Sequence, residues 1–488
     1  MPKPFPFGFC GPSYTAQSPI IDDELAMNCY CEKSESEGAA TQMALLHTPG
    51  RKKFATLPEG SVPGGFTVNG RTFFASSNLW ELDASGAMVN RGSLGAAPAA
   101  PTIVTMITAN ETQLVVSNNG DLFVLTLSDN TFMAVDMGQF NGPVSQIGFA
   151  DGYIIATLQD SHTFQVSALE DATTWDGLDI ATLSYFPDNI VSMICDHREI
   201  QFSSAKKSVW YYNAGAGFPV FIPIQGAFAE VGSGATYAIT QADETTFWLS
   251  QDERGSLIAN RANGYNGQRV STHAVELKWQ QYAVSSDAVS WTYQEYGHTF
   301  WVIYFPTANA TSVYDISQDL WHDRGFWIEA NGKYIADRAM CHTFNFGKHL
   351  VGDWASGNVY DLSSNYYDDD GAVIRGNRRT PSVQTGNEWL YFDQIEFVMQ
   401  TGLAPKVPLV DGDGNPRPAQ LMLRWSNNGG QTWSNWYYLS VGMQGEYSKR
   451  VIKRMLGRAR KRLWDVAWTD PIPWRFNDAF LKATAALS

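Results

Sequence analysis

The chain has 488 residues, with 13% aromatic and 17% charged side chains, the latter below the roughly 25% of an average soluble domain. Its 34 Lys and Arg against 49 Asp and Glu give a net charge of −15, which argues against a broadly basic nucleic-acid binder. The aromatic content and 42 Gly argue against a disordered chain or a coiled coil. No apolar run reaches the roughly 18 residues a membrane-spanning helix needs.

In chain order, residues 1–55 come first. Met1 to Cys10 has no charged segment followed by a long apolar run, so no secretory leader is expected. Pro2, Pro4, Pro6 and Pro12 alternate with Phe5, Phe7 and Phe9, and Pro blocks regular ladders, so the segment reads as an extended arm. Phe5, Phe7 and Phe9 are expected to need a covering surface, on a neighbouring subunit or on the chain's own propeller. The five cysteines, Cys10, Cys29, Cys31, Cys195 and Cys341, are scattered and odd in number, which suits synthesis in a reducing cytoplasm. Cys29 and Cys31 lack a second Cys/His pair at zinc spacing, so no metal or other cofactor is expected.

From residue 56 to 375 one pattern recurs: an apolar or aromatic run, a turn of Asn, Asp, Gly or Ser, and a second run. Leu114-Val115-Val116 passes Asn118-Asn119-Gly120 to reach Leu122-Phe123-Val124, and Phe300 to Phe305 turns at Asn309 into Val313-Tyr314. The turns centre near 78, 119, 160, 206, 253, 309 and 357. A period of about 40–50 residues is that of a four-stranded propeller blade. The expected fold is therefore all-β: a β-propeller of six or seven irregular blades, with a large β-sandwich as the competing architecture. Asp368-Asp369-Asp370-Gly371, near its end, reads as a solvated turn.

Beyond 375 the period stops, and residues 376–488 read as a β-sandwich-like domain. Trp389 to Met399 is a strand, and Leu421 to Trp425 is another. Ser426-Asn427-Asn428-Gly429-Gly430-Gln431-Thr432-Trp433 resembles a sialidase-type Asp-box, whose polar residue caps a turn and has no catalytic part. Asp411-x-Asp413-x-Asn415 has the alternation of a calcium loop, but the bidentate Glu expected twelfth falls on Met422, so a metal-free loop is expected. The densest charge is a basic run holding Lys449, Arg450, Lys453, Arg454, Arg458, Arg460, Lys461 and Arg462 with no acid. Strand alternation would set Arg458, Arg460 and Arg462 on one face. Such a row suits an acidic protein partner, a DNA backbone or a solvated edge strand. No nucleotide, zinc-protease or hydrolase motif occurs, so an enzyme is not expected.

Three passages together resemble one family. Asn28-Cys29-Tyr30-Cys31-Glu32 with Leu46-His47-Thr48-Pro49-Gly50 is the first, and Gly352 to Leu362 with Tyr366 to Gly371 and Arg378-Arg379-Thr380-Pro381 the second. Ser426 to Trp433, followed by Leu456-Gly457-Arg458-Ala459-Arg460, is the third. The ordered set resembles the packaged-DNA stabilisation, or tail-hub (nozzle), proteins of short-tailed phages. The resemblance implies a non-catalytic virion protein assembled in the bacterial cytoplasm. It implies a homo-oligomeric ring, typically a hexamer, below the portal and its adaptor, with a needle or plug and fibre or spike proteins as neighbours. The genome is held behind that ring and passes it during ejection. Two alternatives remain open from sequence: a sialidase-type propeller glycosidase, and a glycan-binding propeller using exposed Trp.

Overall fold

Each sequence-predicted hairpin forms the two middle strands of a four-stranded antiparallel sheet, because its two runs are largely apolar and a short polar turn joins them. Gln113–Asn118, buried throughout, turns through Asn119 (φ +52°) and Gly120 (φ +91°) into Asp121–Thr126. Two residues with positive φ make the tight turn that matches strand twist. The computed structural model describes residues 3–485 except 19–21, 37, 40, 97–103, 184–187, 216, 253 and 406. Pro2 of the arm and Glu253 of the fifth turn lie outside the described residues.

Seven such sheets follow one another: 64–93, 106–134, 144–182, 192–229, 239–269, 289–324, and 339–363 completed by 50–56. Their innermost strands adjoin in order, and the strand Ala339–Asn345 of the seventh returns to Gly64–Val68 of the first. The described chain is thus a β-propeller of seven blades. Six are free-standing four-stranded sheets, and blade six (289–324) is one end of an eleven-stranded sheet. Blades pack through apolar cores. Phe164 of blade three stacks on Phe202 of blade four at 4.6 Å, both fully buried. Truncating such a ring costs about 3–5 kcal/mol.

Blade seven closes with N-terminal chain. The strand Gly50–Thr56 pairs antiparallel with Asn358–Ser363. Arg51 on it is buried and ion-paired with both Asp337 and Asp369. Asp369 therefore does not sit in a solvated turn, as the acidic run suggests. It is buried because the closing strand brings a guanidinium to it.

The C-terminal domain is two sheets face to face. One runs in the order Cys29–Lys33, Met43–His47, Arg475–Ala485, Leu390–Met399, Val451–Arg454. The other continues blade six outward: Leu320–Arg324, Asp23–Met27, Gly376–Arg379, Lys461–Trp468, Gln420–Ser426, Tyr437–Ser440. Both chain ends build this core, in which Phe9, Ala26, Cys29, Cys31 and Leu45 meet Phe397, Leu423, Trp464 and Phe476. Asp23–Met27 stitches the domains, parallel to blade six at Met27–Asp323 and antiparallel to Gly376–Arg379. Arg378, fully buried, ties the stitch by donating to the Phe9 and Pro12 carbonyls and to Glu24.

The arm's aromatics are covered by this chain itself. Phe9 is 0% exposed, edge-on to Phe397 and Phe476 at 5.3 Å each, so it has no face to offer a neighbour. Phe5 and Phe7 are half-buried against the same core, and Phe5 pairs with Leu481. All five cysteines are free thiols; Cys29 and Cys31 are core residues whose burial pushes their thiols well up.

Candidate interaction surface

The basic run divides because the chain changes sheets within it. Val451–Arg454 lies along Leu390–Met399, with Arg454 opposite Gln394 and Ile452 opposite Glu396. Met455 (φ +60°) and Gly457 (φ +74°) then reverse the backbone. Arg458–Ala459 rejoins the same strand at Tyr391 and Leu390. After Arg460 the chain crosses to the opposite sheet as Lys461–Trp468.

Arg462 consequently points inward. It is 1% exposed, with Phe392, Trp425 and Trp464 rings at 4.4, 5.3 and 5.2 Å. Its guanidinium donates to the Asn427 amide oxygen at 2.8 Å and to the Leu456 carbonyl. Burial without a carboxylate pulls its pKa down to about 10. The expected row of Arg458, Arg460 and Arg462 is thereby corrected: Arg462 belongs to the core because strand alternation resets where the chain changes sheets.

The outward face carries the rest. Lys449, Arg450, Arg454, Arg458 and Arg460 are exposed, and Lys453 and Lys461 are half-buried. Arg450 forks onto Glu396 at 2.7 and 2.6 Å. Lys453 lies over the Tyr437 ring at 4.3 Å. Arg458 and Arg460 flank Trp389 at 4.8 and 5.3 Å, and that indole is 40% exposed. Among the described residues, Lys449, Lys453, Arg454, Arg458, Arg460 and Lys461 form no ion pair. Tyr391 and Lys482 join the face, Lys482 beside Gln394 on the side away from Arg454. Lys482 lies outside the basic run in sequence, and only the pairing of Leu390–Met399 with Arg475–Ala485 brings it in. Exposed Trp, Tyr and Arg, interleaved, with Glu396 already engaged by Arg450, make the composition of a protein-binding patch.

The propeller axis is different. All seven innermost strands line a central cavity of about 550 Å³, from Phe66 in blade one to His342 in blade seven. No Asp, Glu, Lys or Arg is among its lining residues. Gln146 narrows it, accepting the Met193 N–H at 2.6 Å and donating to the Thr236 carbonyl at 2.7 Å. The arginine, tyrosine and carboxylate constellation of a sialidase-type glycosidase is not assembled there among the described residues.

The two calcium- and sialidase-like loops are turns held by their own side chains. Asn428 accepts the Thr432 N–H at 2.9 Å and Ser426 Oγ accepts the Gly430 N–H at 3.0 Å. Asp411 accepts the N–H groups of Asp413 and Asn415 at 2.9 Å each. No described group of three or more His, Cys, Asp or Glu could hold a metal ion, and no described helix is long and apolar enough to cross a membrane.

Comparison with known proteins supplies the family. Among solved structures, the extracellular domain of the hybrid two component system BT4673 from B. thetaiotaomicron aligns at 9% identity and TM-score 0.43, over 80% of this chain and 47% of that one. The chain thus spans about half the length of that structure. A chain of the Mitotic Checkpoint Complex aligns at 13% identity and TM-score 0.41, over 68% of this chain and 94% of that one. No curated protein matches. The family described as bacteriophage P22 Gp10, beta-propeller, matches residues 12–367, and its companion, bacteriophage P22 Gp10, beta-sandwich, matches 377–483. With both domains matched in order, the chain belongs to the bacteriophage P22 Gp10 family, the packaged-DNA stabilisation proteins of podoviruses, and is a structural protein of a phage virion.

Proposed function

We propose that the protein is a tail-hub, or nozzle, subunit: several copies, six by the family resemblance, form a ring below the portal and its adaptor. The ring retains packaged DNA and conducts it at ejection, with needle and spike or fibre proteins as further neighbours. The observation that carries this reading is the match of both domains, in order, to the packaged-DNA stabilisation family. The stitched architecture supports it. A sheet continuous from blade six through Asp23–Met27 into the C-terminal domain makes one stiff body, as a pressure-bearing wall requires.

The propeller's own cavity is of small-molecule size and is crossed by Gln146, so it does not pass a duplex. The conduit in this reading is the bore between copies, and the acidic body repels phosphate there and lets DNA slide. The test uses DNA-filled heads from a phage lacking this protein. Adding the purified full chain should convert their DNA from nuclease-sensitive to protected and add a ring visible by electron microscopy. Heads that stay leaky and gain no ring would refute the role.

A further inference from the structure

The acidic excess of this chain is concentrated. Residues 92–197 contain 12 Asp and Glu and not one Lys or Arg. They build blades two and three, with the first strand of blade four. At the outer rim, the turn Met137–Gln139 that follows blade two abuts the outer strand Asp171–Thr182 of blade three. Gln165 donates there to the carbonyls of both Gln139 and Asp176. Asp136 and Asp176 are exposed beside this seam. Leu178 projects from it at 84% exposure, and Met133 on the outer strand of blade two is 45% exposed. A large apolar side chain held out among carboxylates is the counterpart of the C-terminal face, where an exposed Trp389 is held among arginines.

We propose that the Trp389 face of one copy, with Arg454, Arg458 and Arg460, docks onto the acidic seam of blades two and three in the next copy, around Asp136, Asp176 and Leu178. The inference rests on the ring reading above and specifies its subunit contact. The two patches differ, so the contact is head to tail, the kind that closes into a ring when the rotation between copies allows. Trp389 and Leu178 form its desolvated centre, and the charges set register and exclude the reversed pairing, since like charges would then meet. Among the described residues, Arg454, Arg458 and Arg460 form no ion pair, which leaves their charge for the neighbour.

Tails carrying full-length protein with Arg458→Cys and Asp176→Cys together, treated with a flexible bis-maleimide, should give a ladder of covalent oligomers. Either substitution alone should give none, which also controls for the native thiols. Arg454→Glu/Arg458→Glu/Arg460→Glu and, separately, Asp136→Lys/Asp176→Lys should each lower incorporation into tails at least about tenfold. Carrying both sets in one chain should restore it. Circular dichroism of each variant separates lost docking from lost folding. Rings that form normally but yield no ladder, or that tolerate the arginine reversal, overturn this contact while leaving the hub intact; absence of any ring overturns both. DNA binding by the full chain that vanishes with the arginine reversal while rings persist would also overturn it, assigning the face to nucleic acid.

Discussion

Arg51 and Asp369 stand 318 residues apart and form a two-pronged pair, Nε to Oδ1 at 3.0 Å and Nη2 to Oδ2 at 2.9 Å. The pair fastens the strand that closes the propeller, and Asp337 receives the third donor at 3.1 Å. Removing Asp369 takes away the two-pronged partner and leaves the buried Arg51 with Asp337 as its remaining counter-charge. Asp369→Ala should therefore lose about 2–3 kcal/mol, less than the cost of a fully uncompensated buried charge. Hydrogen exchange should show protection falling first in Gly50–Thr56 and its partner Asn358–Ser363. Loss spread evenly over all seven blades would contradict this role.

Arg462 and Arg458 are four residues apart and have opposite roles. Arg462→Ala would leave a hole between Phe392, Trp425 and Trp464 and strand the Leu456 carbonyl, lowering stability by about 2–4 kcal/mol. Arg458→Glu, on the open face, should stay within about 0.5 kcal/mol. Urea midpoints of the two variants check this. Equal midpoints would mean the inward reading of Arg462 is wrong.

These residues also mark how far the sequence is legible. The seven hairpins could be read because each is local, two apolar runs joined by a short polar turn. The blade count could not, because the seventh blade is completed by Gly50–Thr56, distant in sequence, and the sixth merges into the next domain. The arm was opaque for the same reason. Phe5–Pro6 is two residues long, and its partners, Leu481 and Phe480, lie at the far end of the chain. Alternation misassigned Arg462 because it presumes one continuous strand, and the chain changes sheets after Arg460. The acidic seam was masked by a net charge that averaged it with the basic face.

A ladder of alternating cations and indoles crosses the domain junction: Trp327, Arg375, Trp436, Arg424, Trp433, Arg379. Successive separations are 4.7, 5.3, 4.3, 4.7 and 5.1 Å. Arg424 at its middle also donates to Asp465 at 2.6 Å. Lys keeps the charge but cannot lie flat between two rings, so Arg424→Lys should cost about 1–2 kcal/mol and shift tryptophan emission. An unchanged emission spectrum and midpoint would show that the stacking contributes nothing.

Buried imidazoles are one source of acid sensitivity. His342 faces His349 at 3.0 Å between the ring nitrogens and stacks on Trp291 at 5.4 Å, with Tyr293 beside both. Burial, then the neighbouring His349, pulls its pKa from 6.5 down to about 3. Burial lowers His349 too, against the pull of Glu295 and Asp361. The unfolded chain therefore binds protons that the folded chain refuses, so stability falls as pH drops through about 6.5 and goes on falling to about 3. At about pH 4.5 the His342 share reaches roughly 2–3 kcal/mol. His342→Gln removes that titration. Its urea midpoint should change less between about pH 7 and 4.5 than the wild-type midpoint does. Parallel shifts in the two proteins would place the acid-sensitive group elsewhere.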